Sequence, residues 1–176
     1  MKRALVAAAL VLIGTAGIAS AKVGFVDLSK ALELTTQGKA IESKLQAREN
    51  EVELNLKQRE VELLKLKDEI EKGKDALSPQ VLDEKKRKFN RLRREYERML
   101  LEESFKLKQY NFELLQGFIK ELESAAQQVA KARGLTIVLL KFEDVLTQAS
   151  FVLYGDPSVD LTDDVIKLLN QRAQKQ

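Results

Sequence analysis

KDALSPQVLDEKKRKF, running from Lys74 to Phe89, is the stretch on which the fold turns. Leu77-Ser78-Pro79 is the one strong stop between Lys39 and Arg133. Serine before proline suits an N-cap with proline at the first helical position. One helix therefore closes here and another opens, placing a tip near residues 77–80. Upstream, Gln37-Gly38 breaks or bends the chain. Downstream, Lys131 and Arg133 precede Gly134, the pattern of a helix end with cations in the last turn and glycine just past it. Two helices of about 39 and about 54 residues thus run back to back over 39–133, and the first spans about 58 Å. A globular body of this size has a radius of gyration near ~15 Å, so the hairpin must project from it.

Its seam is legible as an apolar face at helical spacing. Leu45, Val52, Leu56, Leu63, Leu66, Ile70 and Leu77 share one face of the outgoing helix. Leu82, Phe89, Leu92, Tyr96, Leu100, Leu107, Tyr110, Leu114 and Phe118 do so on the return helix. Spacings of three, four and seven predict an antiparallel coiled-coil pair. Arg59, Gly73 and Glu103 interrupt the seams, so the pairing is expected to be imperfect.

The flanks of the hairpin predict a small β-body built from 22–38 and 134–176. Strand composition marks 23–28 (VGFVDL), 135–140 (LTIVLL) and 151–154 (FVLY). Ser29 is positioned to cap a brief helix over Lys30–Thr35, and Thr162 a final amphipathic helix carrying Val165, Ile166, Leu168 and Leu169. Three short strands far apart in sequence make a poor sheet alone, and a body of about 60 residues is marginal. The expected class is α+β, mostly α: a small β-body with a long projecting antiparallel helical hairpin, joined through its body into an oligomeric, tentacled assembly.

Composition restricts the chemistry. The 176 residues include no cysteine, no histidine and no tryptophan; 32% are charged and 6% aromatic. Serine–histidine and cysteine–histidine nucleophile systems are thereby excluded, and so is the commonest metal ligand. Gly38-Lys39 and Gly73-Lys74 lack the upstream glycine of a phosphate loop. No carboxylates stand out as a paired acid and base, and no metal-ligand spacing occurs. The expectation is a protein that is not an enzyme, with no catalytic or metal residue and no cofactor. At the N-terminus, Lys2 and Arg3 precede the apolar run Ala4–Ile13, and Ala19-Ser20-Ala21 follows. That is the pattern of a secretory signal over 1–21, cut after Ala21. The run is too short to span a bilayer, and export places the mature chain in a compartment without ATP. Removing Lys2 and Arg3 takes the net charge from +3 to +1.

Taken together, Val23-Gly24-Phe25-Val26-Asp27-Leu28, the long charged hairpin, and Phe151-Val152-Leu153-Tyr154 followed by Asp160-Leu161-Thr162-Asp163-Asp164-Val165-Ile166 resemble the Skp/OmpH family of periplasmic chaperones. The likeness covers essentially the whole mature chain. It implies a trimer with a small β-barrel body and three hairpins around a cavity. It also implies a holdase for unfolded outer-membrane proteins. Two departures stand out. Leu139-Leu140 stands where the family often carries aspartate, and the mature charge is near zero where well-known members are strongly basic. The second weakens any claim on lipopolysaccharide or anionic clients.

Two constellations could carry function. The first is a second apolar stripe, with Leu54 and Val61 on the outgoing helix and Leu101, Phe105, Phe112 and Ile119 on the return helix, spaced by four, seven and seven. A projecting pair of helices cannot bury two faces, so the stripe is a candidate client-binding surface. Contact with the body or another hairpin is the plainer reading for Ile119 and extends to Phe112, while for Leu54, Val61, Leu101 and Phe105 client contact and hairpin–hairpin packing stand evenly. The second is Lys85, Lys86, Arg87, Lys88, Arg91, Arg93 and Arg94, seven cations in ten residues near the tip. These could meet anionic client segments or lipid head groups. They could equally form a solvated face neutralised by pairs such as Glu84–Lys88 and Arg91–Glu95. A non-chaperone coiled-coil structural or adaptor protein of the cell envelope is the alternative function. Nucleic acid is not an expected partner, given export and the balanced charge.

Overall fold

A computed structural model describes residues 21–142 and 150–175. The export signal expected over 1–21 lies outside the described residues except for Ala21. The elements are β1 (Val23–Asp27), α1 (Leu28–Leu34), α2 (Thr36–Lys72), α3 (Pro79–Arg133), β2 (Ile137–Lys141), a 3-10 turn (Pro157–Val159) and α4 (Thr162–Ala173). Strands β1 and β2 pair in parallel, with Val23 opposite Ile137 and Asp27 opposite Lys141. Parallel strands need a crossover. Here the crossover is the whole hairpin, so the two helices leave the body and return to it between adjacent strands.

The helix bounds follow local chemistry. Ser78 caps α3, its Oγ accepting from the Val81 N–H at 3.4 Å, with Pro79 as the first helical residue. At the other end Gly134 takes φ +67°, the left-handed turn that glycine adopts without penalty. Helix α2, at 37 residues, rises about 56 Å. It starts before Gly38 rather than after it. Thr35 is the cap, its hydroxyl accepting from the Gly38 N–H at 3.0 Å. Gly38 is needed for close approach: a Cβ there would lie 1.9 Å from the Leu32 carbonyl oxygen, where α1 folds against α2.

The core sits where the hairpin meets the sheet. Val26, Phe118, Leu122, Ala125, Leu161 and Val165 are almost wholly buried, and Ala31 and Ile41 join them. The last turns of α3 thus pack against the sheet and α4. Two expected caps are corrected. Asp27, not Ser29, caps α1, accepting from the Lys30 N–H at 3.1 Å. Thr162 does not cap α4; it is fully buried in the first turn, and its hydroxyl accepts from the Asp27 N–H across 135 residues. A hydroxyl buried beside an unmet strand N–H gains more by satisfying it than by capping its own helix.

The third expected strand is also corrected. Residues 151–154 form no strand in the chain. The free edge of β1 is taken by Asp160, which bridges Phe25 in parallel, and by the Leu161 N–H, which donates to the Phe25 carbonyl at 2.9 Å. Residues 151–154 do not take that edge, and Phe151, Leu153 and Tyr154 stay exposed. Strand β2 keeps an unpaired outer edge among the described residues.

Candidate binding surface

The apolar seam of α2 and α3 forms as the spacing predicts. Val52, Leu66 and Ile70 are buried, and Leu45, Leu56, Leu63 and Leu77 half-buried. On α3 all the seam residues named above are half-buried or buried except Leu100, which is 39% exposed. The seam uses up one face of each helix.

The second stripe remains outside it. Leu54, Val61, Leu101, Phe105 and Phe112 are 58, 57, 73, 68 and 64% exposed, and Leu64 joins them at 57%. Ile119 is exposed by 37% at the foot of the arm. It continues into a groove of about 710 Å³ lined by Leu122, Ala126, Ala130, Leu135, Val138 and Leu140. On the outward face of the sheet, Val23, Ile137 and Leu139 are exposed as well. Apolar side chains on both faces of β2 are the pattern of a strand covered on both sides.

The basic stretch is partly neutralised. The Lys85 ammonium donates to Glu69 across the hairpin at 2.6 Å and holds that carboxyl below its ordinary range. Arg87 pairs with Asp83, Arg91 with Glu95 at 3.9 Å and Arg93 with Glu97 at 3.6 Å. Glu84 and Lys88 form no ion pair. Among the described residues Lys86, Lys88 and Arg94 have no carboxylate within 4.0 Å, and all three are exposed. Three of the seven cations are thus left without a carboxylate partner.

Glu103 had the wrong character for its seam position, and its partner is Arg48 on α2, 2.9 Å away. The Glu103 side chain is 18% exposed and also accepts from Lys106. Lys106, helped by Arg48, lowers its carboxyl below the usual range. The (i,i+3) spacing to Lys106 was visible in the sequence. The bond to Arg48, 55 residues away, was not.

Among the described residues there is no group of three or more acidic, cysteine or histidine side chains arranged to hold a metal. No helix there is long and apolar enough to cross a membrane. The surface is equipped to bind by apolar area and charge. Fold and surface together define a class: a small mixed body carrying one long helical hairpin whose flanks are left apolar and open. Within that class the chain belongs to the OmpH-like outer membrane protein family, whose model matches residues 22–169. It is 29% identical over 178 residues to a "Skp-like protein" of Chlamydia pneumoniae, the match covering 100% of this chain and 99% of that one. A solved structure from Caulobacter crescentus CB15, described as a candidate outer membrane chaperone (OmpH-like), superposes with a TM-score of 0.73. That likeness covers 93% of this chain and 92% of the other at 20% identity, and it speaks for the fold.

Proposed function

We propose that the chain is an ATP-independent holdase of the periplasm, which binds unfolded outer-membrane proteins between helical arms and prevents their aggregation. The observation that carries this reading is the exposed stripe of Leu101, Phe105 and Phe112, with Leu54 and Val61, on helices whose other apolar face is already packed. Each such contact, being only partly buried by an extended chain, is worth about 1–2 kcal/mol. One contact holds nothing for long; several on several arms raise avidity through effective concentration. Because the unfolded client binds and the folded client does not, a competing folding step is enough for release. The relatives' names, "Skp-like" and "OmpH-like", accord with this role. Location in the periplasm rests on the Lys2–Ala21 pattern.

The working unit is a homo-oligomer, a trimer by family resemblance. The groove below Ile119, the β2 edge that is open among the described residues, and the exposed Phe151, Leu153 and Tyr154 supply apolar surface and a strand edge for bodies to join. Lys86, Lys88 and Arg94 are offered to anionic client segments or lipid head groups, and no nucleic-acid role is assigned to them.

The test is light scattering by a denatured β-barrel protein diluted into buffer. The wild-type chain should suppress it. A variant with Leu54, Val61, Leu101 and Phe105 all changed to serine should lose most of that protection while its helical ellipticity and sedimentation stay unchanged. Equal protection by that folded variant would refute the stripe as the client site; a wild type that fails to protect would put the envelope-adaptor reading in its place.

A further inference from the structure

A second groove lies on the arm itself, and it differs from the stripe in charge. It has a volume of about 440 Å³, and Val52, Leu56, Tyr96 and Leu107 from both helices line its floor. Glu49, Glu53 and Glu60 from α2 line its wall with Lys57. Between Tyr96 and Leu107 the seam carries Leu100, part-exposed, and Glu103, which is drawn to Arg48 and cannot fill an apolar hole. The seam is therefore short of packing at this level, and apolar floor is left open.

The wall gathers carboxylates that have no cation. Elsewhere on the arm many are paired, Glu51 with Arg48, Glu62 with Arg59, Glu69 with Lys85, Glu71 with Lys74 and Glu97 with Arg93, while Glu42, Asp75, Glu84, Glu113 and Glu123 are unpaired among the described residues but lie outside the groove. Glu49, Glu53 and Glu60 have no cation within 4.0 Å among the described residues, and all three are exposed. An apolar trough walled by three unpaired carboxylates and one lysine complements a chain that is cationic and apolar at once. It disfavours nucleic acid and anionic lipid by the same charge.

We propose that this groove docks a cationic, apolar segment of an unfolded polypeptide, one that alternates lysine or arginine with aliphatic or aromatic residues. The proposal deepens the holdase reading and rests on it: the stripe supplies unselective apolar area, and the groove adds a charge preference. Such a preference is opposite in sign to that of the free cations near the tip, so one arm can engage both kinds of segment at different heights.

The probes are two dye-labelled peptides of equal length, one alternating leucine with lysine and one alternating leucine with glutamate, titrated with the mature protein at low salt. The lysine peptide should bind about tenfold tighter, the sum expected of a few exposed charge contacts. The preference should shrink as salt screens it. Glu49→Gln/Glu53→Gln/Glu60→Gln, which keeps shape and helix propensity, should reduce it to about twofold. Glu51→Gln/Glu62→Gln, outside the groove, should leave it in place. Equal binding of the two peptides by wild type, or an unchanged preference in the triple variant, overturns the assignment. Self-association of the wild type that the triple variant abolishes would instead identify a second copy as the occupant, and overturns it too. Aggregation protection measured on the same samples separates the two levels. A wild type that protects while the peptides bind alike sinks only the groove; a wild type that fails to protect sinks the holdase reading.

Discussion

Asp27 shows how much one side chain can be asked to do. It ends β1, caps α1 through the Lys30 N–H, and receives the Lys141 ammonium at 3.1 Å from the end of the paired strand. Burial alone would push its carboxyl up. The Lys30 N–H, Lys141 and the Ser29 N–H outweigh that and hold it below its ordinary value of 3.8. A carboxyl lowered on folding adds stability that is complete above the ordinary value and disappears as pH falls through the lowered one. Asparagine still caps a helix but has no charge for Lys141. Asp27→Asn should therefore melt at a lower temperature than wild type near neutral pH, and the gap should close as the pH falls below the ordinary carboxyl value of 3.8 and through the lowered one. Thermal melts followed by circular dichroism across that range check it, and a gap independent of pH would contradict it.

Among the elements, α2 and α3 have two unequal ends. Near the body α3 is enclosed by sheet and α4, and Phe118 is fully buried; toward the tip each helix has only the other, and Leu66 keeps 7% exposure. Large-to-small changes should therefore act differently along one helical pair. Phe118→Ala removes a ring from an enclosed site and should cost about 3–5 kcal/mol, destabilising the whole body. Leu66→Ala faces a single layer that can collapse or admit water, and should cost about 2 kcal/mol, at the low end of such changes. Amide hydrogen exchange distinguishes the two. The Leu66 variant should lose protection in the outer arm alone, while β1, β2 and α4 keep theirs. Uniform loss in both variants would mean that arm and body unfold as one unit.

For the whole molecule the decisive quantity is apolar surface left over. The body has two paired strands, both faces of β2 apolar, and an open groove at the foot of the arm. A two-stranded sheet is marginal by itself, so association is expected to supply part of its stability. If the bodies join, the melting temperature must fall on dilution, by several degrees over a hundredfold range for a unit of this size. Melts at a series of concentrations, paired with sedimentation, check this. A melting temperature independent of concentration, in a protein that sediments as one chain, would contradict the oligomer.

Much of this was written locally. Ser78-Pro79 and Gly134 set the bounds of α3 because capping is decided by a few neighbouring residues. The seam and the second stripe were legible because a helix repeats its faces at fixed intervals, whatever it packs against. VGFVD became a strand as its composition implies, with Ile137–Lys141 as its partner. What could not be read depended on residues distant along the chain. Thr162 turned away from its own helix because its hydroxyl meets the Asp27 N–H across 135 residues, whereas the Asp27 cap that took the place of Ser29 is a local bond to the Lys30 N–H. FVLY has the composition of a strand but formed none, since composition does not place a segment beside a strand, and the β1 edge went to Asp160. Gly38 reads as a breaker and proved a point of contact, and Glu103 reads as a flaw in the seam and proved the partner of Arg48. The carboxylate-walled groove exists only where both helices border one gap. The sequence by itself determined the helices, their faces and the place where the chain turns, because those depend on interactions within a few residues. The tertiary structure alone decided which caps hold, which strand finds an edge and which charges stay unpaired, because each is a competition among groups that only folding brings together.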